Sequence, residues 1–182
     1  MEKPAPHRWT FDEFLAFEAE ETERCELLNG VIHITTGRSA GHSAIKSNML
    51  ALLQTEPRAG PCRTYSGLKV VTETAAMYPD VLVSCRPLAP DDDRVPDPTV
   101  VVEVLSPTTE SHDRIRKWRQ YQTIPSLRHF VLIAQSERRI EVYTREGEGW
   151  QLAVVEPPED GVVLQAVGAR LSLEAIYEGS GR

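Results

Sequence analysis

The sequence predicts an α/β or α+β fold in which a mixed β-sheet is flanked by helices. The chain has 182 residues, the length of one compact domain, and its 41% apolar and 26% charged residues are typical of a globular protein. Segments with helical periodicity and short β-rich runs follow in the order helix, hairpin, helix, strands, helix, strands. This irregular order favours a mixed sheet over a doubly wound fold. We expect one domain over residues 1–182, with residues 1–9 as an N-terminal extension and 178–182 as a C-terminal tail.

The first predicted elements are a capped helix and a tight hairpin. Thr10 and Glu13 have the spacing of a capping box, and apolar residues follow at helical spacing. Asn29-Gly30 tolerates the positive φ angles of a type I′ turn and separates two apolar runs, Cys25–Leu28 and Val31–Ile34. We therefore expect a helix that begins after Thr10 and an antiparallel hairpin around Asn29-Gly30.

The middle of the chain predicts a second helix and a group of strands. Apolar residues recur at near-helical intervals between Gly41 and Gln54. The strand-like runs that follow are Cys62–Ser66, Leu68–Thr72, Val81–Ser84 and Thr99–Leu105. Residues 86–98 contain four prolines and three consecutive aspartates, so they are expected to form a polar loop.

The last third predicts another helix and further strands. Pro107 ends the preceding strand, and Ser111 can cap a helix that runs to about Gln122. The later expected elements are a hairpin formed by Arg128–Ile133 and Arg139–Tyr143, a strand at Trp150–Val155 and a small closing helix at Leu171–Tyr177.

Charge, cysteine content and hydropathy argue against several classes of protein. The formal charge of −7 argues against a broad basic surface for non-specific nucleic-acid binding, but it is compatible with a local basic patch. Cys25, Cys62 and Cys85 are odd in number and lack C-x-x-C spacing, so we predict reduced, buried thiols and neither a disulfide framework nor a thiolate zinc site. No stretch approaches about 18 uncharged apolar residues. We therefore expect a soluble cytoplasmic protein with no membrane partner.

Two carboxylates beside apolar strands are the most informative residues. Asp80 follows Pro79 directly ahead of one apolar run, and Glu103 lies inside the next. An ionised carboxylate in a buried strand is costly unless it meets a cation, a metal or good hydrogen-bond donors. If the two strands are neighbours, Asp80 and Glu103 can converge on one divalent ion, and hard oxygen ligands suit Mg²⁺ or Mn²⁺.

The third predicted helix carries a candidate cation for the same site. Asp113, Lys117 and Tyr121 are spaced four apart and therefore lie along one helical face. The Lys117 stem can lie along apolar neighbours while its ammonium reaches a sheet edge. Two carboxylates, a divalent ion and a lysine are the groups that metal-assisted phosphodiester hydrolysis requires, because the metal activates water and the lysine orients it or offsets charge at phosphorus.

Each of these residues also has a purely structural interpretation. Asp80 is compatible with an ordinary turn after proline, and Glu103 with a structural ion pair to Lys117 or an arginine. Asp113 is compatible with compensation of the helix dipole in a first turn. These alternatives stay open for the residues taken singly.

The third helix has further residues with two interpretations. Its basic side chains form either a phosphate-binding row or a solvated face: Arg114, Arg116, Lys117 and Arg119. Trp118 and Tyr121 are compatible with core packing or with base stacking. His42, at the start of the second helix, is compatible with capping or packing.

With these motifs the sequence resembles the Uma-two family of restriction-endonuclease-like proteins, first catalogued as a bacterial domain of unknown function. The match spans roughly Phe11 to Ile133. Its motifs here are Glu26-Leu27-Leu28-Asn29-Gly30, His42, Tyr78-Pro79-Asp80-Val81, Val102-Glu103-Val104-Leu105-Ser106-Pro107, and Asp113 with Lys117 and Tyr121. The family is similar to the PD-(D/E)-x-K nucleases, whose mixed sheet lies between helices and whose motifs bind Mg²⁺ and cut nucleic acid.

The resemblance implies a restriction-endonuclease-like fold, DNA as a partner, Mg²⁺ or Mn²⁺ as cofactor and a homodimer that pairs two sites. It implies that four residues line one cleft: Asp80, Glu103, Glu26 and His42. Leu105 stands where the nucleases carry a lysine after Glu103. The resemblance implies that the role of this lysine has moved to Lys117 on the following helix.

The leading hypothesis is a Mg²⁺-dependent endonuclease acting on DNA. Its candidate catalytic residues are Asp80, Glu103, Lys117, Glu26 and His42, with Asp80 and Glu103 as metal ligands and Asp113 and Tyr121 as secondary candidates. The alternatives are an inactive nuclease-fold module that binds nucleic acid or protein, a metal-dependent phosphohydrolase of small substrates, and a purely structural protein.

Overall fold

A computed structural model describes residues 7–34, 39–55, 60–106 and 113–182, with the backbone alone at positions 113 and 114. The helices within these residues are α1 (Phe11–Glu20), α2 (Ala40–Thr55), a π-helical turn (Asp113–Lys117) that runs into α3 (Trp118–Tyr121), a 3₁₀ turn (Gln165–Val167) and α4 (Leu173–Tyr177). The strands are β1 (Cys25–Leu28), β2 (Val31–Ile34), β3 (Arg63–Tyr65), β4 (Lys69–Val71), β5 (Ala75–Met77), β6 (Val81–Ser84), β7 (Arg94–Val95), β8 (Val100–Leu105), β9 (His129–Ala134), β10 (Ile140–Glu146), β11 (Gly149–Val155), β12 (Gly161–Leu164) and β13 (Ala169–Ser172). No helix in these ranges is long and apolar enough to cross a membrane.

The strands form two mixed sheets and a separate hairpin. The five-stranded sheet has the order β2-β1-β5-β4-β7, and the six-stranded sheet has the order β11-β10-β9-β8-β6-β3. Each sheet contains one parallel pair, β4 with β7 and β8 with β9. The predicted class of mixed sheet and helices is thereby confirmed, although the sequence pattern did not reveal that the strands divide into two sheets.

Local chemistry explains the first elements, which agree with the prediction. The Glu13 carboxylate accepts from the Thr10 amide at 2.7 Å, and the Glu13 amide donates to the Thr10 hydroxyl at 3.3 Å. This closed capping box starts α1. Asn29 and Gly30 have φ angles of 51° and 76°, and these positive values let β1 pair directly with β2.

The differences from the prediction concern short elements. The π-helical turn precedes α3, whereas the sequence predicted one regular helix from Ser111, a residue that lies outside the described ranges. Residues 86–98 are not wholly a loop, because β7 pairs with β4. The strands that were not predicted are β5, β7, β12 and β13, each with four residues or fewer. Such segments are too short for a periodic signal.

The prediction of reduced thiols is wrong for two cysteines. Cys62 and Cys85 form a disulfide with an S–S distance of 1.99 Å, while Cys25 is free and buried. Arg63 on β3 pairs with Ser84 on β6, so the antiparallel register sets the two cysteines beside each other at the end of the ladder. This juxtaposition depends on strand pairing and is invisible in the spacing of cysteines along the chain.

Three apolar layers place the candidate site between the sheets. One face of the six-stranded sheet packs against α2, α4 and the β12–β13 hairpin. Its other face packs against the five-stranded sheet and α3, and α1 covers the far side of the five-stranded sheet. Side chains that enter the middle layer can therefore come from both sheets and from α3.

Candidate functional site

Asp80 and Glu103 lie next to each other at one end of the β6–β8 ladder. Val81 pairs with Val102, which brings the residue before β6 beside the residue that follows Val102. The Val104 amide donates to Asp80 Oδ2 at 2.9 Å, and this bond fixes one carboxylate at the strand that carries the other. Both side chains are buried, with exposures of 2% and 1%. The expected adjacency of the two strands is thus present.

Glu103 meets two donors from the helical segment that follows β8. The Lys117 ammonium lies 3.1 Å from Glu103 Oε1, and the Tyr121 hydroxyl donates to the same oxygen at 2.9 Å. Glu103 is two residues from Val101 and from Leu105 on β8, so the three side chains share one face of the sheet. Val101, Leu105 and Tyr121 belong to the apolar layer between the sheets. The lysine therefore reaches the carboxylate from this layer.

Glu26 reaches the same lysine from the other sheet. Its Oε1 lies 2.8 Å from the Lys117 ammonium and accepts from the Tyr78 amide at 2.7 Å. Glu26 is on β1 of the five-stranded sheet, whereas Glu103 is on β8 of the six-stranded sheet. Lys117 consequently joins one carboxylate from each sheet.

His42, on α2, contacts Asp80. Its Nε2 is 3.3 Å from Asp80 Oδ2, and the imidazole is fully buried. The His42 amide donates to the Ser39 hydroxyl at 3.2 Å, which fixes the first turn of α2. A buried imidazole at this distance can accept or donate one proton at the carboxylate.

The structure brings together all five candidate catalytic residues and Tyr121. The backbone of Asp113 lies in the π-helical turn, and its side chain falls outside the described part. Leu105, at the position of the nuclease lysine, is 4% exposed and belongs to the apolar layer between the sheets. The cation near Glu103 is therefore Lys117, which lies on the next helical segment.

Two contributors to the site were missed at the sequence level. The Tyr78 amide fixes Glu26, and the Tyr78 hydroxyl donates to Glu18 at 2.7 Å. The Gln120 side chain docks α3 onto the five-stranded sheet: it donates to Asn29 Oδ1 at 2.9 Å and accepts from the hydroxyls of Thr72 and Thr74 at 3.0 Å. Tyr78 belongs to the Tyr78-Pro79-Asp80 motif, but the sequence did not indicate a role for its amide or its hydroxyl. Nothing in the sequence distinguishes Gln120 from a surface glutamine.

The oxygen atoms of the cluster are suitable ligands for a divalent cation. Among the described residues, Glu26 and Glu103 contact the Lys117 ammonium, and Asp80 contacts the His42 imidazole. Carboxylate oxygens are the ligands that Mg²⁺ and Mn²⁺ prefer. Two of these carboxylates converge on Lys117, and no three acidic, histidine or cysteine side chains of the described residues surround a common point. The carboxylate oxygens therefore fit a divalent metal, and the Lys117 ammonium is the cation that contacts Glu26 and Glu103 in this structure.

The chain is similar to a known protein family and to two cyanobacterial proteins. A family model named Uma2 and described as "Putative restriction endonuclease" matches residues 11–175. Two proteins of Synechocystis sp. (strain ATCC 27184 / PCC 6803 / Kazusa), named "Uncharacterized protein slr1290" and "Uncharacterized protein sll1609", are each 31% identical to the chain. The first match covers 92% of this chain and 90% of the relative, the second 76% and 82%.

A solved structure shows the same fold. The crystal structure of "a putative nuclease belonging to DUF820" from Anabaena variabilis ATCC 29413 superposes with a TM-score of 0.77. The alignment covers 92% of this chain and 97% of the Anabaena protein, at 20% sequence identity. The likeness confirms the predicted fold class.

Proposed function

Because the chain belongs to the Uma2 family, we propose that it is a Mg²⁺-dependent endonuclease that hydrolyses phosphodiester bonds of DNA. The observation that carries the proposal is that Glu26 and Glu103, from different sheets, both contact Lys117. Asp80 is next to Glu103 in the β6–β8 ladder and contacts His42 of α2. A purely structural ion pair would need one carboxylate for one lysine, whereas two buried carboxylates contact this one.

Each residue has a role that follows from its chemistry. Asp80 and Glu103 would hold the divalent ion, which supplies Lewis acidity and an activated water when bound. Lys117 is a compact charge with three donors, suited to orient the attacking water or to offset charge on the phosphate. His42 can take a proton at Nε2, and Glu26 anchors the ammonium. Tyr121 holds the Glu103 carboxylate in place through its hydroxyl.

The test is cleavage of plasmid DNA with Mg²⁺ or Mn²⁺. We expect nicking by the natural protein and its loss in Asp80→Ala and Glu103→Ala. Asp91→Ala is the matched control, because Asp91 is an exposed acidic residue of the 86–98 segment. Equal nicking by all four proteins would identify a contaminant and refute the proposal.

Leu105 and the satisfied state of Lys117 favour a second candidate, an inactive nuclease-fold module that binds nucleic acid or protein. The Lys117 ammonium already contacts both Glu26 and Glu103. For this module, titration calorimetry with Mn²⁺ gives no heat of binding, and DNA is retained without being cut. For the leading proposal, Mn²⁺ binds and Asp80→Ala abolishes the binding.

A homodimer would allow two sites to cut two strands, as the family resemblance implies. Sedimentation velocity of the protein, alone and with a DNA duplex, tests this assembly. A single species with the mass of one chain in both samples would exclude it.

A further inference from the structure

A cluster of half-buried aromatic rings lies on the face of the six-stranded sheet that also carries Glu103. Trp118 packs on Tyr143 and Trp150, with ring centroids 4.5 and 4.8 Å apart. Leu152 pairs with Tyr143 across the β10–β11 ladder and is 49% exposed. Trp118, Tyr143 and Trp150 pack against the core while part of each side chain stays accessible, and Leu152 beside them is exposed, so a ligand can contact this group.

The rings are continuous with the candidate site. Tyr121, whose hydroxyl donates to Glu103, packs on Phe130 at 5.2 Å, and Trp118 stacks on the same Phe130 at 5.2 Å and an interplanar angle of 14°. Trp118 also follows Lys117 directly in the chain. Phe130 and Tyr121 are fully buried, so Trp118 is the ring that is both partly exposed and next to the lysine of the carboxylate cluster.

Two arginines give this surface a positive charge. The Arg145 guanidinium lies 4.4 Å from the centre of the Trp150 ring and donates to the carbonyls of Leu127, Gln122 and Ile124, which fixes its position. Arg128 opposes Arg145 across β9 and β10, where the Arg145 amide donates to the Arg128 carbonyl. Burial and the nearby Arg128 both lower the pKa of the Arg145 guanidinium.

An anion bound at the arginine pair would reduce the repulsion between the two guanidinium groups. Like charges directly opposite each other on neighbouring strands repel. Arg128 is exposed, and among the described residues no carboxylate forms an ion pair with it. Arg116 and Arg119, on the helical segment that carries Trp118, are also exposed. Glu141, on the same face of β10, accepts from the Tyr143 hydroxyl at 3.5 Å and pairs with Arg139. In a chain whose formal charge is −7, this group of arginines is complementary to a polyanion.

We propose that the aromatic–arginine surface, formed by Trp118, Tyr143, Trp150, Arg145 and Arg128, binds an unpaired nucleic-acid strand. Bases stack on the rings, the arginines contact phosphates, and the strand runs toward Trp118, the ring that follows Lys117 in the chain. Stacking on aromatic side chains needs unpaired bases, so the surface distinguishes single strands from duplexes. The direction toward the cluster rests on the proposed nuclease function, but binding at the surface does not require a metal.

Oligonucleotide binding in EDTA tests the surface independently of catalysis. The Asp80→Ala protein serves as the parent, with a fluorescent single-stranded oligonucleotide and its duplex as probes. We expect the single strand to bind at least about tenfold more tightly than the duplex at equal salt. Within this parent, Trp150→Val should weaken single-strand binding about tenfold, and Arg128→Gln should reduce the slope of log affinity against log salt by about 0.7.

Matched controls separate the surface from general effects. Trp9→Leu changes a tryptophan that packs on Phe17 of α1, and Arg170→Gln removes an exposed arginine of β13. Both should bind like the parent, and circular dichroism should show every variant folded.

Three results would overturn the proposal. They are equal or absent binding of the two probes, unchanged binding by Trp150→Val and Arg128→Gln, and a change of oligomeric state in Trp150→Val. The last result would show that the surface joins copies of the chain. Failure of plasmid cleavage alone would refute the proposed nuclease function and leave this binding surface intact.

Discussion

Lys117 joins two carboxylates that come from different sheets, so its removal tests the charge balance of the cluster. Lys117→Met leaves Glu26 and Glu103 buried without the ammonium, and we expect a loss of about 3–5 kcal/mol in the free energy of unfolding. Urea denaturation in EDTA measures it. Arg119→Met, at an exposed position of the same segment, is the control and should change stability by less than about 0.5 kcal/mol. A small effect of Lys117→Met would mean that water already reaches the carboxylates.

His129 predicts a pH dependence of stability. Burial lowers the pKa of its imidazole from 6.5 to about 4, and Nε2 accepts from the Ala166 amide at 3.2 Å. The unfolded chain takes up the proton below about pH 6.5, whereas the folded chain resists it until about pH 4. Stability is therefore fully present above pH 6.5 and falls between pH 6.5 and 4, by about 3 kcal/mol in total.

His129→Gln isolates this effect because glutamine does not titrate. The loss between pH 7 and 4 should be about 3 kcal/mol smaller in the variant than in the natural protein, measured by urea midpoints at several pH values. Parallel pH profiles for the two proteins would contradict the assignment.

Single residues of the site differ in how far the sequence could predict them. Asp80 and Glu103 were predictable because a carboxylate beside or within an apolar strand needs a partner. Gln120 was not, because its partners Asn29, Thr72 and Thr74 lie 91, 48 and 46 residues away in sequence. Hydrogen bonds across such separations leave no local pattern.

At the scale of elements, α3 depends on its contacts with the rest of the fold. It has four residues, too few for a stable isolated helix, so docking through Gln120 and Tyr121 fixes the position of Lys117. Asn29→Gly keeps the positive φ angle but removes the acceptor of the Gln120 amide. We expect it to cost about 1–2 kcal/mol in unfolding free energy.

Asn29→Asp is the matched partner of this variant. It keeps an acceptor oxygen and also tolerates a positive φ, so its stability should stay within about 0.5 kcal/mol of the natural protein. Chemical denaturation of both variants decides the matter. Equal destabilisation by glycine and aspartate would show that the Gln120 contact does not dock the helix.

Elements with long apolar periodicity or a clear turn were predictable, and the others were not. The Asn29-Gly30 turn and the run of α2 carry strong local signals. β5 is Ala-Ala-Met and β7 has two residues, so their pairing with β4 decides their structure. The π-helical turn that ends at Lys117 likewise depends on tertiary contacts, because the Lys117 ammonium contacts carboxylates of both sheets.

For the whole molecule, metal binding should couple to folding. On the proposed function, a divalent ion held by Asp80 and Glu103 would bind only the folded chain, so Mn²⁺ at 100 times its dissociation constant should add about 2.7 kcal/mol of stability. Thermal unfolding should shift upward with Mn²⁺ and return with EDTA. Asp80→Ala should abolish the shift while Asp91→Ala retains it, and a shift common to both variants would place the ion elsewhere.

The class of the whole fold was predictable because the order of helical and strand patterns is compatible with only a few architectures. The docking of two sheets and the Cys62–Cys85 disulfide were not, since both follow from strand register. Register is set by the packing of opposite faces and by turn geometry.

The origin of Glu26 and Glu103 in separate sheets has a consequence for newly made chains. A chain with only one of the two sheets formed would hold only part of the acidic cluster, and Lys117 could not contact both Glu26 and Glu103. On the proposed nuclease function, the complete catalytic cluster would exist only after the two sheets have closed on each other. A chain in which either sheet is unfolded would then be unable to cut DNA.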